Sequence, residues 1–137
     1  MDGMTLQKIR FEFVPIWDVD LRWPEAAPML AKALDTQESL SIESVYQGVK
    51  DGKFHLWVGD DVAIVTEIQQ FPLERICVGV LCGGAVVERW ESTMNAAVTR
   101  YARAMGCRAV VIVGRRGWSK VWPEFKIDGY VMRKSLE

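Results

Sequence analysis

The residues best suited to chemistry in this sequence stand together in Gly114-Arg115-Arg116-Gly117-Trp118. They follow a short apolar run, and the two glycines permit a tight bend there. Open sheets with parallel strands commonly bind ligands at the carboxyl ends of those strands. Two arginines at such a position could clamp a phosphate, or a carboxylate of a neighbouring protein. The same stretch also suits a solvated basic turn in which Trp118 covers the edge of the core, and the sequence leaves both interpretations open.

Three cysteines and one histidine are the residues that could hold a soft metal ion. Cys77 and Cys82 lie in one apolar run, and their odd separation predicts that they point to opposite faces of a strand. They therefore cannot share a metal with His55 unless the strand is broken, and no metal site is predicted. The odd cysteine count, with Cys107 as the third, is typical of free thiols in a reducing compartment.

Charge is unevenly distributed along the 137-residue chain, although the net charge is only −1. Residues 1–74 contain 6 Lys/Arg and 13 Asp/Glu, which gives −7, whereas residues 75–137 contain 11 and 5, which gives +6. This asymmetry predicts an anion site or a contact with a neighbouring molecule on the C-terminal half, unless the fold intermixes the halves. A dedicated nucleic-acid-binding protein would be basic overall. Nucleic acid therefore ranks last among the partners, and its candidate contacts are Arg100, Arg103, Arg108, Arg115 and Arg116.

Length and composition favour one folded domain over residues 1–137. Half of the residues are apolar and 26% are charged, a balance that excludes an intrinsically disordered chain. No apolar run approaches the roughly 20 residues that a membrane-spanning helix needs. Residues 1–5 show neither the basic nor the apolar region of a signal peptide, so secretion by that route is not expected.

Apolar periodicity predicts ten elements in the order β-α-α-β-β-β-α-β-α-β. Pro24 is predicted at the first position of the first helix, Ser41 as the cap of the second, and Gly106 as the end of the third. The elements are a strand over 6–14, helices after Pro24 and Ser41, strands over 53–58, 62–70 and 75–82, a long helix over 86–105, a strand over 109–113, a helical turn over 119–122 and a last strand over 127–134.

These elements predict the α/β (α+β) class with one mixed sheet. The strands over 53–82 form an antiparallel meander, and the long helix joins the last of them to the strand over 109–113. Such a crossover places the two joined strands parallel to each other. Both are apolar on both faces and are predicted to be central in the sheet.

This order of elements resembles that of the GNAT N-acetyltransferase superfamily, without its last strand. At the level of residues, the chain is similar to small GNAT-like proteins encoded by tailed phages and prophages. The stretches that carry this second resemblance are Trp23-Pro24, Leu56-Trp57-Val58, Val65-Thr66-Glu67-Ile68, Phe71-Pro72, Gly106-Cys107-Arg108 and Val113-Gly114-Arg115-Arg116-Gly117-Trp118. The resemblance implies a structural or morphogenesis protein of a tailed phage, present in the host cytoplasm during assembly, and it leaves open whether the protein is a component of the virion or an assembly factor. Its implied partners are other phage structural proteins or further copies of itself, and no membrane.

In GNAT enzymes the acetyl-CoA pyrophosphate lies where a splayed strand meets the central helix, on free backbone N–H groups. The corresponding stretch here is Leu81-Cys82-Gly83-Gly84-Ala85-Val86-Val87-Glu88-Arg89, in which Gly83, Gly84 and Ala85 would bind the cofactor. It lacks the leading Gln/Arg and the Gly-x-Gly spacing of the family signature Gln/Arg-x-x-Gly-x-Gly/Ala. Glu88 also places a carboxylate in the first helical turn, where it would compete with phosphate. The two glycines equally suit a plain strand-to-helix turn.

An acetyltransferase must also deprotonate its amine, and Glu67 is the candidate base. The alternative is a strand glutamate that faces solvent or pairs with a basic residue. No tyrosine stands in the helical turn after Gly117 to protonate the leaving thiolate, and Tyr130 falls on the last strand. The sequence therefore favours a protein without acetyltransferase activity and without a cofactor. Its alternative is an acetyl-CoA-dependent N-acetyltransferase that acts on an amine of a host or phage component.

Overall fold

A computed structural model describes residues 10–84, 87–113 and 123–137. No helix in these ranges is long and apolar enough to cross a membrane. The elements, in chain order, are β1 (Phe11–Val14), a 3₁₀ turn (Ile16–Asp18), α1 (Val19–Leu34), α2 (Ile42–Lys50), β2 (His55–Gly59), β3 (Val62–Gln70), β4 (Arg75–Gly84), α3 (Val87–Ala104) and β5 (Ala109–Ile112).

The five strands form one mixed sheet in the order β1-β2-β3-β4-β5. The first four pair antiparallel, and β4 pairs parallel with β5. This confirms the predicted fold class, in which an antiparallel meander leads into one parallel crossover through a long helix. Gly106 follows α3 with a φ of 77°, a left-handed conformation that glycine adopts without strain.

Each face of the sheet is covered by an apolar cluster. One cluster lies between the sheet and the pair α1 and α2, and the other lies under α3. Ligands therefore reach the sheet only at its edges and at the ends of its strands. The buried residues of the first cluster include Leu30, Val45, Leu56 and Val65, and those of the second include Trp57, Ile64, Cys77, Val98 and Ala102.

Helix α1 begins earlier than the sequence predicts. Pro24 is not at its first position, because α1 begins at Val19 and contains both Pro24 and Pro28. The two prolines are exposed and stand one turn apart. Each removes only the hydrogen bond to the carbonyl four residues earlier, where water can replace the missing donor. Burial of Val19, Ala26 and Leu30 holds the other side of the helix against the sheet.

Two predictions for the C-terminal half are wrong. β5 is an edge strand among the described residues, not a central one. Its apolar side chains indicate that both faces of the strand are covered, and they do not indicate that both of its edges are paired. Residues 127–134 form no strand, since apolar alternation cannot supply a backbone partner and no described strand pairs with them. The helical turn predicted over 119–122 lies outside the described residues.

β4 contains a β-bulge at its middle. Val65 of β3 pairs with Leu81, but the next residue, Thr66, pairs with Gly79, so Val80 has no partner on β3. An inserted residue of this kind reverses the alternation of side chains beyond it and bends the strand.

The bulge changes the faces on which the cysteines lie. The prediction of opposite faces for Cys77 and Cys82 is wrong, because the extra residue between them brings both to the α3 side. Within the part of the chain that the structure describes, no group of three or more His, Cys, Asp or Glu residues is close enough to hold a metal ion.

Candidate functional site

β4 and β5 separate halfway along β4. β5 pairs only with residues 76–79 of β4, which then continues through residues 80–84 with no described strand on that side. The backbone N–H and C=O groups on the open side of residues 80–84 therefore face a cleft between the two strands. An extended ligand that carries amide groups could pair with this edge as an added strand does.

A cavity of about 60 Å³ lies in the cleft, beside α3. This is several times the roughly 10–15 Å³ that one water molecule needs by the same measure, and is room for a short acyl group. The walls are mainly apolar, which favours an uncharged group over a charged one. They are formed by residues of β3, β4, α3 and β5 together with Phe125, among them Val80, Met94, Val98 and Ile112.

Three polar side chains also line the cavity: Thr66, Cys82 and Asn95. Thr66 is buried, and its Oγ1 accepts a hydrogen bond from Trp57 Nε1 at 3.1 Å. Burial raises the pKa of the Cys82 thiol to about 12, so at neutral pH Cys82 is a thiol and a poor nucleophile. None of the three is a base near pH 7, so this part of the site binds and orients a ligand without accepting its protons.

An open groove of about 930 Å³ adjoins the cavity along α3. Asn95 lines both the cavity and the groove, and its Nδ2 donates a hydrogen bond to the carboxylate of Glu124. Arg100, Arg103 and Glu91 also line the groove. Guanidinium groups bind phosphate through parallel hydrogen bonds. The cavity and the groove together therefore suit a ligand with a small acyl group at one end and phosphate at the other.

No sequence profile of a known protein family matches the chain, and no curated protein matches it in sequence. Solved structures match it over nearly their whole length. An aminoglycoside acetyltransferase from an uncultured soil metagenomic sample, in complex with sisomicin, has a TM-score of 0.69 at 7% identity, covering 94% of this chain and 97% of that chain. A ribosomal-protein-alanine N-acetyltransferase from Brucella melitensis biovar Abortus 2308 has a TM-score of 0.66 at 12% identity, covering 93% and 100%. A predicted acetyltransferase from Clostridium acetobutylicum, with acetyl-CoA, has a TM-score of 0.65 at 10% identity, covering 93% and 96%.

The chain has the GNAT fold. At such low identity the likeness shows the fold and nothing finer, so the broader of the two resemblances is confirmed. Two of the three solved structures are named acetyltransferases and the third a predicted acetyltransferase. Phage origin, the virion and the assembly partners stay predictions that these structures do not test.

Glu67, the predicted base, does not line the cleft of this GNAT fold. It is half-buried in β3, and its Oε1 accepts a hydrogen bond from Gln69 Nε2 at 3.0 Å. Side chains alternate along a strand, so Glu67 points to the face opposite the one on which Ile64 and Thr66 line the cavity. Its role as a base stays a prediction.

Gly83 and Gly84 form the end of β4, and their predicted role in binding the cofactor stays a prediction. Gly83 is buried, and a Cβ built on it would lie 2.1 Å from the carbonyl oxygen of Met29 in α1. A glycine at this position is therefore required by the packing of α1 on the sheet. Gly84 is exposed and pairs with Val62.

The other predicted site residues lie outside the described residues. These are Ala85 and the stretch Gly114, Arg115, Arg116, Gly117 and Trp118. The residue before that stretch, Val113, is described and lines the cavity. The predicted roles of the stretch in binding an anion or a protein stay predictions.

A second polar contact lies on the α3 side of the sheet. His55 Nδ1 contacts the hydroxyl of Tyr101, and both rings pack edge-on or stacked with Phe13. Burial lowers the pKa of His55 and raises the pKa of Tyr101 to about 12. Both groups are therefore uncharged at neutral pH. The pair joins β2 to α3, and neither residue lines the cavity.

Sequence reasoning missed Asn95 and Val80. Asn95 follows Met94 on α3. A single asparagine next to an apolar stripe belongs to no sequence pattern that would mark it as a binding residue. Val80 matters because of the bulge, for which the adjoining Gly79 is the only cue in the sequence.

Proposed function

We propose that the chain is an acetyl-CoA-dependent N-acetyltransferase. The observation that carries this proposal is the cleft, in which residues 80–84 of β4 run past the end of β5 beside an apolar cavity. The cavity adjoins a groove that contains arginines. The likeness to acetyltransferases, one of them with acetyl-CoA, gives further support.

The residues present fit acetyl-CoA in three respects. The open edge of residues 80–84 offers backbone partners to the amide groups of the pantetheine arm. The apolar cavity has room for the acetyl group. Arg100 and Arg103 would bind the phosphates. Glu91 and Glu124 line the same groove and offset the positive charge of the arginines. The phosphates would therefore be attracted by direct pairing with the guanidinium groups and not by an excess of positive charge.

When bound, acetyl-CoA supplies an activated acetyl group, whose carbonyl carbon the amine attacks as the C–S bond breaks. The chain itself binds and orients. The apolar walls keep water from the acyl group, and the neutral Cys82 thiol does not compete with the amine as acceptor. No carboxylate or imidazole lines the cavity in the part of the chain that the structure describes. Deprotonation of the amine is therefore assigned to solvent, and the predicted role of Glu67, which points to the other face of the sheet, is the alternative that its substitution tests.

Calorimetric titration with acetyl-CoA and with free CoA tests the binding. We expect a micromolar dissociation constant, weakened at least tenfold, about 1.4 kcal/mol, by the double substitution Arg100→Ala/Arg103→Ala. Lys32→Ala removes an exposed cation from α1 and serves as the matched control, with unchanged affinity. Unchanged melting temperatures establish that the variants fold. Absence of heat at millimolar acetyl-CoA would overturn the proposal.

Release of free CoA in the presence of candidate amines tests the transfer. The panel includes an aminoglycoside and an alanine peptide, following the names of two of the compared structures. Glu67→Gln separates the two sources of the base. If Glu67 is the base, the substitution lowers kcat. An unchanged kcat assigns deprotonation to solvent.

A further inference from the structure

Exposed apolar side chains collect at one end of the sheet. Val14 of β1, His55 of β2, Gln70 of β3 and Arg75 of β4 mark this end, because β1 and β3 finish where β2 and β4 begin. Helix α1 begins here, directly after β1 and the 3₁₀ turn. We call the following exposed residues the apolar end face: Ile16, Trp17, Leu21, Phe71, Leu73 and Met105.

Contacts join these residues into one surface. Arg75 donates hydrogen bonds to the carbonyl oxygen of Met105 at 2.7 Å and to Gln70 at 2.9 Å, so the turn between β3 and β4 adjoins the end of α3. Phe13 of β1 stacks on Tyr101, one helical turn before Met105, with ring centroids 5.5 Å apart. The end of β1 and the 3₁₀ turn that follows it therefore also lie beside the end of α3.

The apolar end face is large for a monomer. Its six side chains are between 37% and 89% exposed, the equivalent of about four fully exposed large side chains, or on the order of 700 Å². The largest apolar patch on a typical monomer covers roughly 300–600 Å². Of the other large apolar side chains exposed in the described residues up to 113, Phe13 adjoins the face and Val113 lies elsewhere. Tryptophan, phenylalanine and methionine are enriched where proteins contact each other, so the composition and size of the face indicate that a partner covers it.

The charges around the apolar end face divide it into two parts of opposite sign. Residues 15–21 and 50–53 contain three aspartates and two lysines, which gives −1. These two segments adjoin, because Ile16 Cδ1 lies 3.5 Å from the position of a Cβ on Gly52. Residues 71–75 and 105–108 contain one glutamate and two arginines, which gives +1. A twofold axis would place the negative part of one copy on the positive part of the other, so the face is complementary to itself.

We propose that two copies of this chain form a dimer through their apolar end faces, with Trp17 of each copy packed against the turn between β3 and β4 of the other. The two faces together bury on the order of 1,400 Å², within the roughly 1,200–2,000 Å² of stable interfaces. Residues 80–84, which form the cleft, are at the opposite end of β4, so both clefts stay open to ligands. The dimer does not depend on acetyl-CoA binding, and the two proposals stand or fall separately.

Sedimentation velocity on the full chain, across micromolar concentrations, tests the proposal. We expect twice the mass of one chain. Trp17→Ala/Leu73→Asp should raise the dissociation constant of the dimer by at least about 100-fold. Its circular dichroism spectrum should match that of wild type, because both side chains are exposed in the monomer. Met132→Asp is the matched control, since Met132 is 91% exposed and lies outside the face, and this variant should remain a dimer.

Two charge reversals test the twofold orientation. Arg108→Glu makes both parts of the face negative and should weaken the dimer about tenfold. Asp51→Lys, added to it, turns the first part positive and should restore the dissociation constant to within about threefold of wild type. A monomeric wild-type chain would overturn the proposal, and so would a dimer that survives Trp17→Ala/Leu73→Asp. Equal weakening by Arg108→Glu alone and by the double reversal would overturn the arrangement of unlike parts.

Discussion

Replacement of Gly83 by alanine places a methyl group inside the contact between β4 and α1. The added Cβ would lie 2.1 Å from the carbonyl oxygen of Met29 and 2.7 Å from its carbonyl carbon. Ordinary van der Waals contact begins at 3.4 Å, so the backbone of α1 must withdraw by about 1.3 Å (3.4 − 2.1). Because the obstacle is backbone, no flexible side chain can yield instead.

The withdrawal of α1 also loosens the packing of Ala26 and Leu30, which are fully buried. Overpacking of a core costs about 1–3 kcal/mol, and we expect the upper value, about 3 kcal/mol, because a helix must move as a unit. With an unfolding entropy of roughly 2.1 cal/mol/K per residue, this lowers the melting temperature by about 10 °C.

Thermal unfolding followed by circular dichroism measures this effect, and titration with acetyl-CoA accompanies it. Gly84→Ala is the control, because Gly84 is exposed and does not have a positive φ. Its melting temperature should stay within about 2 °C of wild type. A Gly83→Ala protein that melts like wild type but binds acetyl-CoA less tightly would refute the reasoning, since Gly83 would then serve the ligand and not α1.

Three further outcomes follow from the buried polar groups. Thr66→Val leaves Trp57 Nε1–H buried without its acceptor and should cost about 2 kcal/mol of unfolding free energy, whereas Thr66→Ser should recover most of it; equal melting of the two variants would contradict this. Burial lowers the pKa of His55 from 6.5, so the folded chain binds this proton less readily than the unfolded chain. Its contribution to stability is complete above about pH 6.5 and is lost as the pH falls toward the lowered pKa; melting curves between pH 7.5 and 5 should therefore slope less in His55→Gln. Burial raises the pKa of Cys82 to about 12 and also raises that of Cys107, which is less buried. A thiol-reactive disulfide at pH 8 should modify Cys107 first and Cys82 only on unfolding, and rapid modification of Cys82 in the native protein would contradict the burial.

The fold could be predicted because its signals are local. β3 occupies the predicted residues 62–70, since apolar alternation and the turns at its ends lie within the strand itself. Ser41 caps α2, with its Oγ accepting from Ser44 N–H, because a capping residue acts on the helix that follows it directly. The start of α1 at Pro24 was predicted wrongly, because the free-energy cost of a proline inside a helix depends on whether that position is exposed. The tertiary packing of α1 decides this exposure.

The site could not be predicted in the same way, because it depends on backbone relations between distant residues. The cleft exists because β5 stops pairing at Gly79 of β4 and because Val80 is bulged out of register. No pattern of side chains in the sequence indicates where the pairing ends or where the bulge lies. Glu67 was chosen for its apolar neighbours, but those neighbours face both sides of the sheet, and the side that carries the cavity is known only once α3 is placed.

The four-residue ladder between β4 and β5 also has a consequence for folding kinetics and local stability. Ile76 and Ala109, which pair in it, are separated by 33 positions of sequence, whereas β2, β3 and β4 are joined by short turns. Hairpins form within microseconds, but the parallel pair must wait until α3 has formed and docked. Assembly of the cleft therefore follows the hairpins in folding. Such a short ladder has few hydrogen bonds to break and opens locally in the native state, so a ligand that bridges the two strands would stabilise their pairing.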